Sequence, residues 1–242
     1  MIYAGTSTST SGTDDQISTS AYNSTYNDNA YVGYMYGSTG ASSYSATHAN
    51  NNSSTIKGIL DNWYKTNIVD KGHSDKVSSE AGFCGDREPS TSTATSNGSG
   101  GTGTTETYYG AYIRLTNSSK NPTFECQNSS DLYTVASSSQ GNNALDYPIG
   151  LITADEAVYA GGVSGQSNNG YYLYTNQVYW TMSPHYFYAT RSTAYVFGVY
   201  SSGGIFNWPV YDTETGVRPV INLKANTKFQ GSGTIDSPFE IA

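Results

Sequence analysis

Between Val178 and Tyr211 the chain carries a single charged side chain, Arg191, among closely spaced aromatic, β-branched, small and polar residues. Within that stretch Tyr195, Phe197 and Val199 alternate with Ala194, Val196, Gly198 and Tyr200. Successive side chains of a strand point to opposite faces, so each set belongs to one face. One set is expected to pack inward and the other to meet solvent or a sheet neighbour. Ser, Gly and Pro clusters break the stretch into short pieces, which predicts strands over 177–182, 194–200 and 216–223. In the last, GVRPVINL, Val217, Pro219, Ile221 and Leu223 share a face, and Pro219 removes a backbone donor. That segment should therefore lie at an edge or carry a break.

Upstream the period changes. Ile56, Ile59, Leu60 and Trp63 recur at helical spacing, and Ser53 or Ser54 can cap the first turn. Thr153-Ala-Asp-Glu156 is a capping box opening a second, shorter helix, which Gly161 and Gly162 can end. Residues 30–36 (AYVGYMY) are strand-like, 38–52 read as a polar loop, and 108–115 (YYGAYIRL) as a strand or extended segment. The low-complexity run 90–106 predicts a mobile surface loop. Two helices followed by antiparallel strands indicate the α+β class. With no repeat and no internal linker, the expectation is one domain over 30–242 behind a flexible lead-in over 1–29.

Composition narrows function. Tyr is abundant, 23 residues against 7 Phe, beside many Ser, Gly and Asn. That is the vocabulary of adaptable binding surfaces, because a Tyr ring gives large contact area at small entropic cost. A net charge of −8 with no cluster of Lys and Arg excludes a nucleic-acid partner. No apolar run of ~18 residues exists, so no transmembrane segment is expected. The opening MIYAGTSTSTSG reads as an added Met on a truncated mature region, so a missing leader says little about compartment. Two cysteines, Cys84 and Cys126, are too few for a zinc site. An intracellular protein would keep them as thiols. In a Lys-poor, Ser/Thr/Asn-rich chain of exported character a disulfide is the expectation.

In order along the chain, YVGYMYG (31–37), STIKGILDNWY (54–64), FCGDR (83–87), LITADEAVYAGG (151–162), YWTMSP (179–184) and GVRPVINL (216–223) resemble a group of bacterial surface proteins with a C-type-lectin-like fold. The formylglycine-generating enzymes share that fold. Some members end in a variable region diversified by a retroelement, here about 179–223. The resemblance implies a cell-surface or secreted protein whose diversified residues bind a protein or other macromolecule. Miscopied adenines in asparagine codons cannot produce Lys, Gln or Glu, and these are absent between Thr181 and Asp212. Met182 and Trp208 also lie outside the reachable set and must be fixed positions. The tail GSGTIDSPFEI (231–241) resembles exported, sometimes pilin-like, proteins.

The expected ligand-binding residues are His185, Tyr186, Tyr188, Thr190, Arg191, Tyr200, Phe206, Asn207, Trp208 and Tyr211, in turns joined to a rigid scaffold. Trp180, Val196, Phe197 and Val199 are expected in the core, and Arg218 is expected to bind a carboxylate or carbonyls. His48 and His73 read as solvated, and Asp86-Arg87-Glu88 as a local salt-bridge turn. No catalytic motif, metal site or cofactor site is expected. Glu88-Pro89-Ser90 and Asn207-Trp208-Pro209 depart from the calcium-dependent sugar-binding motifs of C-type lectins. Two other readings stay open: a structural pilin-like or wall-associated assembly module, and an oxidase like the formylglycine-generating enzymes.

Overall fold

Ile56 and Leu60 are fully buried on one face of a helix spanning Thr55–Tyr64, and the Ser54 hydroxyl accepts the Lys57 N–H at its start. This is the helix the spacing predicts. The computed structural model describes residues 1–5, 12–91, 100–116, 120–234 and 236–241. Within the expected mobile loop over 90–106, residues 92–99 lie outside the described residues, while 101–105 are tied to the domain by Asn29 Nδ2, which donates to the Thr102, Gly103 and Thr105 carbonyls, and by His48 against Gly101 O.

The helices are α1 (Tyr44–Thr47), α2 (Thr55–Tyr64), α3 (Gly110–Thr116) and α4 (Ala154–Tyr159). The strands are β1 (Ser18–Thr19), β2 (Met35–Tyr36), β3 (Asn52–Ser53), β4 (Phe83–Cys84), β5 (Thr107–Tyr108), β6 (Leu132–Tyr133), β7 (Tyr179–Tyr188), β8 (Thr193–Val199), β9 (Ile205–Pro209), β10 (Gly216–Val217), β11 (Phe229–Gln230) and β12 (Glu240–Ile241). The architecture is α+β. Its main sheet runs β1-β10-β7-β8-β9, with β5 also paired to β7; β2-β3, β4-β6 and β11-β12 form separate two-stranded pairs.

The main sheet divides two cores. Trp180, Met182, Phe187, Ala194 and Val196 pack with Ile56, Leu60 and Tyr64 of α2. The alternate residues Tyr179, Phe197, Val199 and Ile205 pack with Ala111 and Leu115 of α3 and Ala154 and Ala157 of α4. Both faces of β8 are therefore buried, where one face was expected to meet solvent or a neighbouring strand. Helices cover both sides, which explains why β8 reads as a continuous apolar run. Trp180, Val196, Phe197 and Val199 are core as expected.

Several local expectations change. The described part of the 1–29 lead-in is tied into the domain: Ile2 bridges Val220, Ser18 and Thr19 pair with Val217 and Gly216, and Tyr22 is fully buried. Residues 30–36 form a strand only at Met35–Tyr36. Before it, Asn29–Val32 is a 3₁₀ turn whose first N–H groups include Ala30, capped by the Asp28 carboxylate. The polar loop 38–52 holds the single helical turn α1. Residues 110–116, expected to be extended, are helical because Ala111 and Leu115 at i, i+4 fill the second core. In the C-terminal run β10 stops at Val217, and Val220 bridges Gly150 and Ile2 instead, so Pro219 marks a break.

Two features lock the frame. Cys84 and Cys126 form the expected disulfide, with Cα atoms 5.5 Å apart. Arg87 is fully buried and fully used. Its Nη2 and Nε donate to Asp131 Oδ1 at 2.6 and 2.9 Å, its Nη1 to Met35 O, and Nη2 also to Asn50 Oδ1. It also stacks over the Tyr133 ring. The expected local turn at 86–88 is thus a long-range junction between three segments of chain. Arg218 binds carbonyls, as expected, at Tyr3 and Leu173.

Candidate functional site

The outer end of the main sheet carries a row of tyrosines set by strand register. Tyr108 of β5 pairs with Tyr186 of β7, which pairs with Tyr195 of β8. Directly opposed residues share a face, so the three rings lie side by side. Tyr108 and Tyr186 stack at 5.7 Å, and Tyr186 and Tyr195 at 4.6 Å with their ring planes nearly parallel, at 3°. Tyr188, two residues on, lies on the same face 6.0 Å from Tyr186. Asn207 of β9 donates from Nδ2 to the Tyr186 hydroxyl.

A β-bulge brings His185 into this group. Pro184 pairs with Val196 and Tyr186 with Tyr195, two steps on β7 against one on β8. The extra residue is His185, and a bulge re-aims the side chains around it. Its ring packs against Phe197, Tyr112 and Tyr186, at 4.4, 4.8 and 4.8 Å. His185 is only 7 % exposed, its Nδ1 has no hydrogen-bond partner, and burial pushes its pKa down to about 3. It is a neutral ring supporting the row from beneath. Burial, then the neighbouring Tyr195 and Tyr108, raise the Tyr186 pKa, so its hydroxyl stays protonated.

The β7–β8 connection is a 3₁₀ turn, Ala189–Arg191, closed by Ser192 in the left-handed region at φ 45°. Glu106 accepts the Ala189 N–H at 2.7 Å, and the Thr193 hydroxyl donates to Arg191 O, so both ends of the turn are held. Arg191 is exposed and lies over the Tyr188 ring at 5.5 Å. Beside it an open recess of about 530 Å³ is lined by Tyr26, Arg191, Thr193, Tyr195 and Tyr211. Tyr26 and Tyr211 form its rim, 4.8 Å apart and 41 % and 46 % exposed.

The ten residues expected from sequence do not form one patch. His185, Tyr186, Tyr188, Arg191, Asn207 and Tyr211 belong to the tyrosine face or its recess, and Thr190 is exposed on the connecting turn. Tyr200, Phe206 and Trp208 lie on the opposite face, where Phe206 and Trp208 oppose Gly198 and Val196. There Tyr200 contacts Phe206 at 5.2 Å and Trp208 at 5.5 Å. Trp208 packs partly against the first core. Comparison with family models, curated proteins and solved structures returns no match for this chain.

Tyr26, Tyr108 and Tyr112 belong to the site and were not foreseen. They come from upstream segments: strand register brings Tyr108 to the row, helix α3 sets Tyr112 against His185, and Tyr26 is placed by its carbonyl accepting the Ala194 N–H and by its contact with Tyr211. The signal available was the density of Tyr in YYGAY (108–112), beside a helix-compatible Ala111-Leu115 spacing.

The other concentration of charge is structural. Arg114 of α3 pairs with Asp86 and with Asp155 of α4, the latter at 2.9 Å, and Asp155 also accepts the Thr123 N–H. Burial, opposed by Arg114, lifts Asp86 to about 6. A small cavity of about 150 Å³ adjoins this cluster and the disulfide. Asp86, Arg114 and Asp155 are paired with one another, and the cluster ties α3 to α4 and to the chain after Cys84. His48 was expected to be solvated. It is instead buried, bonded through Nε2 to Gly101 O, and pushed down to about 3 by desolvation and the nearby Arg87 charge. His73 is exposed, as expected.

Proposed function

We propose that this chain is a non-enzymatic binding protein of C-type-lectin-like architecture. Its tyrosine face and the adjoining recess grip a protein ligand. The observation that carries this reading is the Tyr108–Tyr186–Tyr195 row, held by strand register beside an exposed arginine, with Tyr108 and Tyr186 half-buried and Tyr195 buried beneath the recess. Rigid aromatic anchors beside one Arg are the chemistry of interface hot spots. Binding without catalysis fits the two buried histidines, both held neutral, with His185 lying among rings rather than beside a carboxylate. A general acid or base works best with a pKa near the operating pH, and both rings lie far below it. Each cysteine is engaged by the other, so neither offers a thiolate to copper while the bond stands.

Diversification by a retroelement, with display at a cell surface or after secretion, extends the proposal. The disulfide supports an oxidising compartment. Among the described residues no helix is long and apolar enough to cross a membrane. Sister copies of the gene are the test. They should differ almost only between 185 and 212, at adenine-derived codons, beside a reverse transcriptase and a template repeat. Differences scattered evenly along the chain reject the diversification.

A second reading, assembly, is favoured by the β11-β12 pair. Phe229, Phe239 and Ile241 are 51 %, 66 % and 41 % exposed there. If that pair is an assembly contact, purified protein forms ordered oligomers that Phe239→Ser dissolves; a monomer at all concentrations removes this reading.

A further inference from the structure

The recess beside Arg191 has a charge pattern that specifies its occupant. Arg191 is exposed, and among the described residues no carboxylate forms an ion pair with it. Glu106, the acid nearest the turn in the hydrogen-bond pattern, is engaged by the Ala189 N–H. One side of the guanidinium is occupied by the Tyr188 ring. The other recess walls, Tyr26, Thr193, Tyr195 and Tyr211, add hydroxyls and aromatic faces but no charge.

We propose that this recess binds a carboxylate side chain, Asp or Glu, projecting from a protein partner. This rests on the binding reading above and names the chemistry of its central contact. Arg191 supplies a planar fork that matches a carboxylate in bidentate geometry. Its contact with Tyr188 and the held turn fix the fork in advance, which lowers the entropic cost of pairing. The Tyr26 and Tyr211 rings flank the methylene stem of the incoming side chain. The opposite sign elsewhere selects against other anions. A net charge of −8 repels dense polyanions such as nucleic acid or an anionic membrane. A phosphate would bring two charges to one cation. A single carboxylate among apolar atoms matches one arginine among tyrosines.

The test uses the whole chain and two small probes, N-acetyl-glutamate N-methylamide and its glutamine counterpart. Each is titrated while ¹⁵N NMR follows the Arg191 Nε–H and the Thr193 and Tyr195 amides. The glutamate probe should shift all three saturably, and the glutamine probe should not. Arg191→Gln should weaken the glutamate probe about tenfold or more, as expected for loss of a charge-assisted bidentate pair, and Arg191→Lys by less. Both variants sit on an exposed turn, and their unchanged amide spectra elsewhere confirm the fold. Equal titration by the two probes, shifts centred elsewhere, or no shift at all overturns the proposal. So does a response to N-acetylneuraminic acid with none to the glutamate probe, which would make the recess a glycan site. The binding reading stands apart from these outcomes, because sequence variation confined to 185–212 supports it whatever the recess prefers.

Discussion

Two arginines show how differently this chain treats charge in its frame and at its tip. Arg87 is sealed inside, with Asp131, Met35 and Asn50 taking its donors. Arg191 stands in solvent with one ring as neighbour. The first joins three distant segments and has no freedom to be anything else. The second contributes nothing that the fold requires. The same division separates the two ends of the main sheet. Every position of β8 is buried, while beside its start Tyr108, Tyr186 and Tyr188 are half-buried and Arg191 is exposed. Rigidity at one end permits choice at the other.

The largest test of that contrast is Arg87→Met. It leaves Asp131 buried without its partner, and breaking such a pair costs about 3–5 kcal/mol. Urea unfolding should show a loss of that size; a loss under about 1 kcal/mol would place Arg87 outside the frame. Next is the disulfide, which spans a sequence separation of 42. Cys84→Ser with Cys126→Ser should cost about 4 kcal/mol by the chain-entropy estimate, with the tyrosine face still formed in the melt's folded baseline.

The histidine beneath the row gives a smaller, pH-dependent effect. The His185 folded pKa lies near 3, below the ordinary 6.5, so the unfolded chain binds more protons between those values. Stability from this group is complete above about 6.5 and falls as the pH is lowered towards 3. His48 acts with the same sign. Asp86, raised to about 6, acts oppositely: its contribution is complete below its ordinary 3.8 and is lost as pH rises through 6. Melting temperatures between pH 7 and 4 should therefore fall less steeply for His185→Leu than for the parent chain, and more steeply for Asp86→Asn. Smallest is Tyr211→Ala. The ring is 46 % exposed and pairs only with Tyr26, so stability should change by about 1 kcal/mol or less while ligand binding weakens. If Tyr211→Ala destabilises as much as Arg87→Met, tip and frame are not separate.

What the sequence disclosed follows the range of the interactions involved. The helix at 55–64 and the capping box at 153–156 are local patterns, and both form as expected; Glu156 and Thr153 satisfy each other's backbone donors. The disulfide followed from the character of the chain. Arg87 was misjudged because its carboxylate lies 44 residues away, beyond any local pattern. Helix α3 was missed because aromatic and β-branched residues dominate 108–115, and packing of Ala111 and Leu115 overrides that preference. At the site, the stretch 178–212 was visible as aromatic and nearly uncharged. Its division between two faces was not, because β7 carries two register shifts against β8, the one at His185 reversing the alternation, and only the partner strand reveals them.

That bulge sets a rule for how the protein can change. Opposed pairs across β7 and β8 keep their places only while the number of residues between Tyr179 and Tyr188 is constant. Swapping one side chain for another alters what the tip touches and leaves its neighbours where they were. Adding or deleting one residue would turn the residues on one side of the change to the opposite face unless a further bulge absorbed it. Side-chain identity on this strand is thus free to vary in a way that its residue count is not.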